Sequence, residues 1–307
     1  GSAIQGIVIN NKISNVCSGS EQSGIHASES ICSTVAKEFE FEQKSNTVFP
    51  SSTGVIGWKL PLQDILKVIP SVKTKMQSKS LFPASLSIMT TDRYPKLRGK
   101  KIGKNVAKIV GIAKGAGMIE PNMATMLVYI LTDLDVPKEA LKQMLNKCVG
   151  TTFNCISVDS DTSTSDTVVL VSSAKVAAEE NDLEQFETAL LEICSNLAED
   201  VVRNGEGTAH VIKVQVTGAP SPTVARKVGK GIINSPLFKC AVAGNDPNVG
   251  RLLAVVGRVM ADVEPLADIA KTKLSFGENV VFENAQFSIN SSLEEKIYKQ
   301  MKTSEIL

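Results

Sequence analysis

Between Lys114 and Leu127 the chain reads Lys-Gly-Ala-Gly-Met-Ile-Glu-Pro-Asn-Met-Ala-Thr-Met-Leu. Gly115, Gly117 and Pro121 shape a backbone turn between two strand-like runs. A lysine where such a turn begins, and a threonine, Thr125, where the next strand begins, are the parts of an activated hydroxyl nucleophile facing a positive charge. The same residues also suit a plain Gly-rich connection, with Lys114 exposed and Thr125 an ordinary strand former. Asp159, Asp161 and Asp166 could suggest a calcium loop, but the segment lacks the glycine and terminal glutamate of an EF-hand. His26 and His210 are too few and too far apart for an imidazole base or a zinc site. No phosphate-cradling glycine motif follows a strand, so neither a metal nor a nucleotide cofactor is expected.

Elements must hold these residues in place. Apolar runs predict strands over residues 3–10, 84–89, 106–112, 125–132, 153–158, 167–172 and 210–216. Helical spacing predicts helices over 26–39, 62–76 (broken near Pro70), 135–148, 182–203, 221–233 and 248–263, with a weaker strand and helix in the tail. The 51–57 segment reads as turn-rich. Asn204-Gly-Glu-Gly207 stops the long helix, so Glu206 taken alone is a loop residue that ends a helix. Ser18 and Gly19 taken alone form a Ser/Gly turn. Strands and helices alternate, which sets the class as α/β or α+β.

Composition narrows the function. Apolar residues make up 43% of 307, enough for a large core, so the chain is a folded globular protein. Lys and Arg total 33 against 32 Asp and Glu. That balance gives no field to attract nucleic acid or an anionic membrane, which leaves small molecules or proteins as partners. No run approaches the ~20 apolar residues that span a bilayer, and the N-terminus lacks a secretion-signal pattern. Six cysteines without a CxxC pair are expected to be free thiols.

The Lys114–Leu127 run resembles the signature Lys-Gly-x-Gly-Met-Ile-x-Pro-x-Met-Ala-Thr-Met-Leu of the ornithine acetyltransferases (glutamate N-acetyltransferases), matching it at every constrained position. The resemblance implies self-cleavage between Ala124 and Thr125, after which the new N-terminal threonine is the nucleophile. Its freed α-amine, with an unperturbed pKa of ~7.7, would serve as base. Ser18-Gly19 resembles the family's oxyanion-hole pair, with serine for threonine. Thr90-Thr-Asp92 resembles a substrate-contacting element whose first threonine maps to Thr90, although Arg93 departs from the pattern. Lys114 and Glu206 carry over as the substrate-binding cation and anion. Residues 158–167 match a run near the site, and 244–251 match a family loop with Val249 in place of tryptophan.

The fold implied is two stacked sheets flanked by helices, the self-cleaving ornithine acetyltransferase fold. Residues 1–124 would be equivalent to the α chain and 125–307 to the β chain. The activity implied is acetyl transfer from N-acetylornithine to glutamate in arginine biosynthesis, without a cofactor. Family members begin upstream of Gly1 and continue past Leu307, where they supply an asparagine and a threonine to the site. A non-catalytic assembly subunit, or a related self-cleaving aminopeptidase or amidohydrolase, therefore stays open. The assembly expected is a homo-oligomer or an α/β hetero-oligomer, or a larger complex, in the cytoplasm or, in a eukaryote, the mitochondrial matrix.

Overall fold

The computed structural model describes residues 4–19, 21–41, 47–104, 107–120, 126–263 and 271–307. Two compact units divide the chain, one of residues 1–154 with 161–206, the other of 155–160 with 207–307.

The first unit runs β1 (Gly6–Asn10), α1 (Glu21–Glu38), β2 (Val48–Ser52), α2 (Leu62–Lys73), α3 (Phe82–Ser87), β3 (Lys96–Ile102), β4 (Ala107–Lys114), β5 (Leu127–Leu134), α4 (Lys138–Thr151), β6 (Thr167–Val176) and α5 (Asp182–Arg203). Among the described residues β1 and β2 pair in parallel, and a second sheet has the order β3-β4-β5-β6, antiparallel except for β5–β6. The two-residue period of a strand then sorts the side chains into layers. Ile7 and Ile9 of β1 pack with Ile112, Leu127, Tyr129 and Val169 of the larger sheet. Val8, between them, points the other way and meets Val35, Ala36 and Ile69 of α1 and α2.

On the far face of the larger sheet lies α5, whose Phe186, Leu190, Ile193, Leu197 and Val201 are buried. A Cβ added to Gly111 of β4 would come 2.9 Å from both Ile193 and Leu197, so only glycine lets helix and strand approach this closely. The layers run helix, sheet, sheet, helix, as the resemblance implied.

The second unit holds α6 (Pro222–Ile233), α7 (Pro236–Ala243), α8 (Val249–Val263), β7 (Leu274–Phe276), β8 (Asn279–Glu283), β9 (Gln286–Phe287) and α9 (Ser291–Thr303). Its core joins Val228, Ile232, Val255, Val259, Val281, Ile297 and Met301. Val249, where the family pattern has tryptophan, is itself buried in this core.

Several elements differ from expectation. Residues 84–87 are helical and 88–89 leave the helix, so 84–89 is no strand, because Pro83 lies in the first turn of α3 and Ser85 and Ser87 hydroxyls return to the Phe82 and Pro83 carbonyls. Residues 153–158 hold only a short 3-10 turn, Phe153–Cys155. The helix α2 continues past Pro70, where Ser71 Oγ donates to the Val68 carbonyl at 2.7 Å. Residues 210–216 form no sheet strand. Val211 instead bridges Ile306 in parallel, with Lys213 N donating to Leu307 O. Residues 51 and 52, read as a turn, end β2.

The strand β3 escaped apolar patterning altogether. Its Lys96, Arg98 and Lys100 alternate onto the α5 face, where Arg98 pairs with Asp200 and Lys100 with Glu192. Ionic pairing replaces the apolar stripe that would have revealed it. None of the six cysteines forms a disulfide, and no helix among the described residues is long and apolar enough to cross a membrane.

Candidate active site

Lys114 ends β4 on the side facing β1 and β2, in register with Leu127 at the start of β5. It is 4% exposed, which overturns the reading of an exposed lysine in a plain connection. Its ammonium has no hydrogen-bond partner among the described residues. Burial pulls it below the usual lysine range, against the attraction of Asp92 and Asp166, with the Lys96 charge adding to the depression. A buried cation without a bonded partner suits an anionic group that arrives with a ligand.

The cavity beside it has a volume of about 390 Å³ and is lined by Lys12, Ser52, Thr90, Lys114, Ser163 and Leu127, among others. Thr90 and Lys114, predicted separately as substrate contacts, therefore meet in one cavity. Ala124 and Thr125 lie outside the described residues, but Leu127, two residues beyond Thr125, lines this space.

Asp92 holds Thr90 and Lys114 in position. Its Oδ2 accepts from the Thr90 amide at 2.9 Å, and its Oδ1 from the Gly115 amide at 2.8 Å and from Lys96 Nζ at 2.6 Å. Both side chains of the Asp92–Lys96 pair are 0% exposed. Burial alone would raise the Asp92 carboxyl, but the Lys96 charge and the bonds from Lys96, Gly115 and Thr90 hold it below its ordinary range. Fully buried Asn204 caps the arrangement at the end of α5, accepting from the Arg93 amide at 2.9 Å. Arg93, the departure from the family pattern, thus contributes its backbone here.

Ser18 and Gly19 do not line the cavity. Ser18 is buried, and its Oγ donates to Asn15 Oδ1 at 2.7 Å, while the Asn15 amide donates to Ser52 Oγ at 2.8 Å. The pair is thus joined to the cavity wall through Asn15 and Ser52. Gly19 has φ +115°, a conformation that favours glycine. Glu206 is exposed two residues beyond Asn204 and is not brought to the lining.

Sequence reasoning missed Lys96 and Asn204, and it gave Asp166 only a structural role. Lys96 begins Lys-Leu-Arg-Gly-Lys-Lys101, a basic run without the apolar stripe that marks a strand. Asp166 accepts from the Met126 amide and is pushed up to about 7 by burial, against that bond and the attraction of Lys114. Ser14 and Ser165 hydroxyls meet across the cavity lining at 3.5 Å. No local pattern marks such contacts between distant segments.

A model of the ArgJ family matches residues 1–307. The chain belongs to the ArgJ family. A relative in Clostridium acetobutylicum, named arginine biosynthesis bifunctional protein ArgJ 2, is 39% identical over 284 residues, covering 92% of this chain and 70% of the relative. Arginine biosynthesis bifunctional protein ArgJ of Ruegeria pomeroyi is 42% identical over 79% of this chain and 59% of its own length. The Thermotoga neapolitana protein of the same name is 37% identical over 100% of this chain and 78% of its own. The chain thus spans part of the length of these ArgJ relatives. The crystal structure of arginine biosynthesis bifunctional protein argJ from Bacillus halodurans matches with a TM-score of 0.52 and 31% identity, over 58% of this chain and 83% of that one.

Proposed function

We propose that this chain transfers an acetyl group from N-acetylornithine to glutamate through an ester on Thr125, as part of arginine biosynthesis. The observation that carries the proposal is the meeting of Thr90 with Lys114, buried and without a hydrogen-bond partner among the described residues, in one cavity at the start of β5. A cation there suits the α-carboxylate that both amino acids share, so one site serves donor and acceptor in turn. Glu206 is proposed to read their ammonium groups, and Ser18 with Gly19 to stabilise the oxyanion.

The Thr125 hydroxyl first attacks the Ala124 carbonyl, and the Ala124–Thr125 C–N bond breaks as the amine takes the hydroxyl proton. Water hydrolyses the resulting ester, which frees the hydroxyl and leaves the chain as segments 1–124, ending in the Ala124 carboxylate, and 125–307. The free Thr125 amine then takes the hydroxyl proton as Oγ attacks the acetyl carbonyl. Ornithine leaves with that proton on its amine. The glutamate amine attacks the ester, forms N-acetylglutamate and gives up one of its own protons, which the Thr125 amine passes to Oγ. The proposed setting is the cytoplasm, with the two segments held in one assembly.

Mass spectrometry under denaturing conditions tests the first step, with two fragments divided before Thr125 expected. Incubation of the cleaved protein with N-acetylornithine should then add one acetyl group to Thr125. A cleaved protein whose Thr125 stays unmodified rules the assignment out. Thr125→Ala should abolish both steps, and Thr125→Ser should keep part of each because a hydroxyl remains.

A further inference from the structure

The end of the sheet where β4, β5 and β6 meet carries a carboxylate that acetyl transfer as described does not use. Lys114, Leu127 and Thr167 stand in register across the three strands, which sets Met126 and Asp166 side by side just before them. The Met126 amide donates to Asp166 Oδ1, and the Met126 carbonyl accepts from Thr167 N at 2.9 Å. Both backbone polar groups of the residue that follows Thr125 are therefore fixed from the β6 side. Asp166 Oδ2 is buried and accepts no hydrogen bond among the described residues. A half-satisfied buried carboxylate is costly and calls for a reason.

We propose that Asp166 is a positioning residue for the nucleophile: its carboxylate clamps the Met126 amide and so aims Thr125, and protonation loosens the clamp. The proposal rests on the reading of Thr125 as nucleophile. A charge-assisted bond to the carboxylate is roughly twice as strong as a neutral one, so the clamp tightens on ionisation. Burial places that ionisation at about 7. Lys114 on β4 favours the anion, with Asp92 and Lys96 acting on Lys114 in turn, and exposed Asp159 and Asp161 precede Asp166 in the chain. The proton lost goes to solvent, and no covalent bond of Asp166 changes.

The test follows self-cleavage of the full chain, made by cell-free synthesis, moved into buffers from mildly acidic to mildly alkaline pH and sampled by denaturing mass spectrometry. The rate in the unmodified chain should rise as pH passes through the neutral range. Asp166→Asn, which keeps an acceptor at Oδ1, should cleave about tenfold more slowly and lose that inflection, while Asp166→Glu should recover one. In the uncleavable Thr125→Ala background, the Met126 amide resonance of methionine-labelled protein should titrate, and Asp166→Asn should flatten it. An Asp166→Asn chain that cleaves at the unmodified rate with the same pH profile overturns the clamp and leaves Thr125 standing as nucleophile, as does a Met126 resonance that never titrates. A chain that never divides before Thr125, behaving like Thr125→Ala at every pH, overturns both.

Discussion

Asp92 shows how a residue that touches no proposed substrate can decide whether a site exists. It ties the Thr90 amide, the Gly115 amide and the Lys96 ammonium to one buried carboxylate. Asp92→Asn would leave Lys96 charged and unpaired in the interior, a change that costs about 3–5 kcal/mol. Urea unfolding at neutral pH should show that loss, and transfer by the surviving folded fraction should fall as Thr90 and Lys114 lose their anchor. The same carboxyl sets an acid limit. Its folded-state pKa is depressed, so its contribution is fully present above the unfolded value of ~3.9 and disappears as pH falls through the folded value. Acid unfolding of the unmodified protein should therefore steepen below pH ~4, and Asp92→Asn should flatten that limb. Lys114→Met should lower kcat/KM about 10–100-fold, the range for losing one hydrogen bond to a charged group, without unfolding the protein.

At the scale of elements, α5 supports the sheet by two means that differ in strength. Leu197 is 0% exposed against β4, whereas the Arg98 side chain of the Arg98–Asp200 pair is 44% exposed. Leu197→Ala should cost about 2–5 kcal/mol, the range for emptying a packed aliphatic site, and Arg98→Ala only about 0–1 kcal/mol. Equal losses in urea titrations would show that the ionic face of β3, and not the apolar face of α5, supports the sheet. In the second unit α6 and α8 meet at Gly231, where an added Cβ would fall 2.3 Å from Val259 Cγ2. Valine is branched and cannot swing aside. Gly231→Ala should therefore destabilise the second unit by about 1–3 kcal/mol, and hydrogen exchange should show the opening in residues 222–263 before the β4–β5 ladder.

For the molecule as a whole, the division proposed at Thr125 falls inside the first unit, between paired neighbours. Strands β4 and β5 pair from Ile109↔Thr132 to Lys114↔Leu127. Cutting the connection leaves that ladder and the layers on either side intact, so segments 1–124 and 125–307 should stay associated. Native mass spectrometry should give their combined mass, and denaturing conditions the separate fragments; fragments that part in native buffer would contradict this view of the sheet.

The sequence by itself determined the family through one unbroken local signature, the class through its alternation of strands and helices, and α5 to the residue through a 22-residue apolar stripe closed by Asn204. It also picked out Thr90 and Lys114, which lie in short local motifs. What only the tertiary structure decided rests on contacts between segments far apart in the chain. Taken without the resemblance, Lys114 is an exposed lysine in a plain connection until two sheets close over it, and the basic residues of β3 find Asp200 and Glu192 only once α5 packs on the sheet. Asp92 reaches the Gly115 amide across 23 positions, and Asp166 reaches Met126 across 40. Local periodicity reports which face of an element is apolar, but Arg98, Lys100 and Asp166 meet Asp200, Glu192 and Met126 only across 40 positions or more, and no short window of sequence contains both partners.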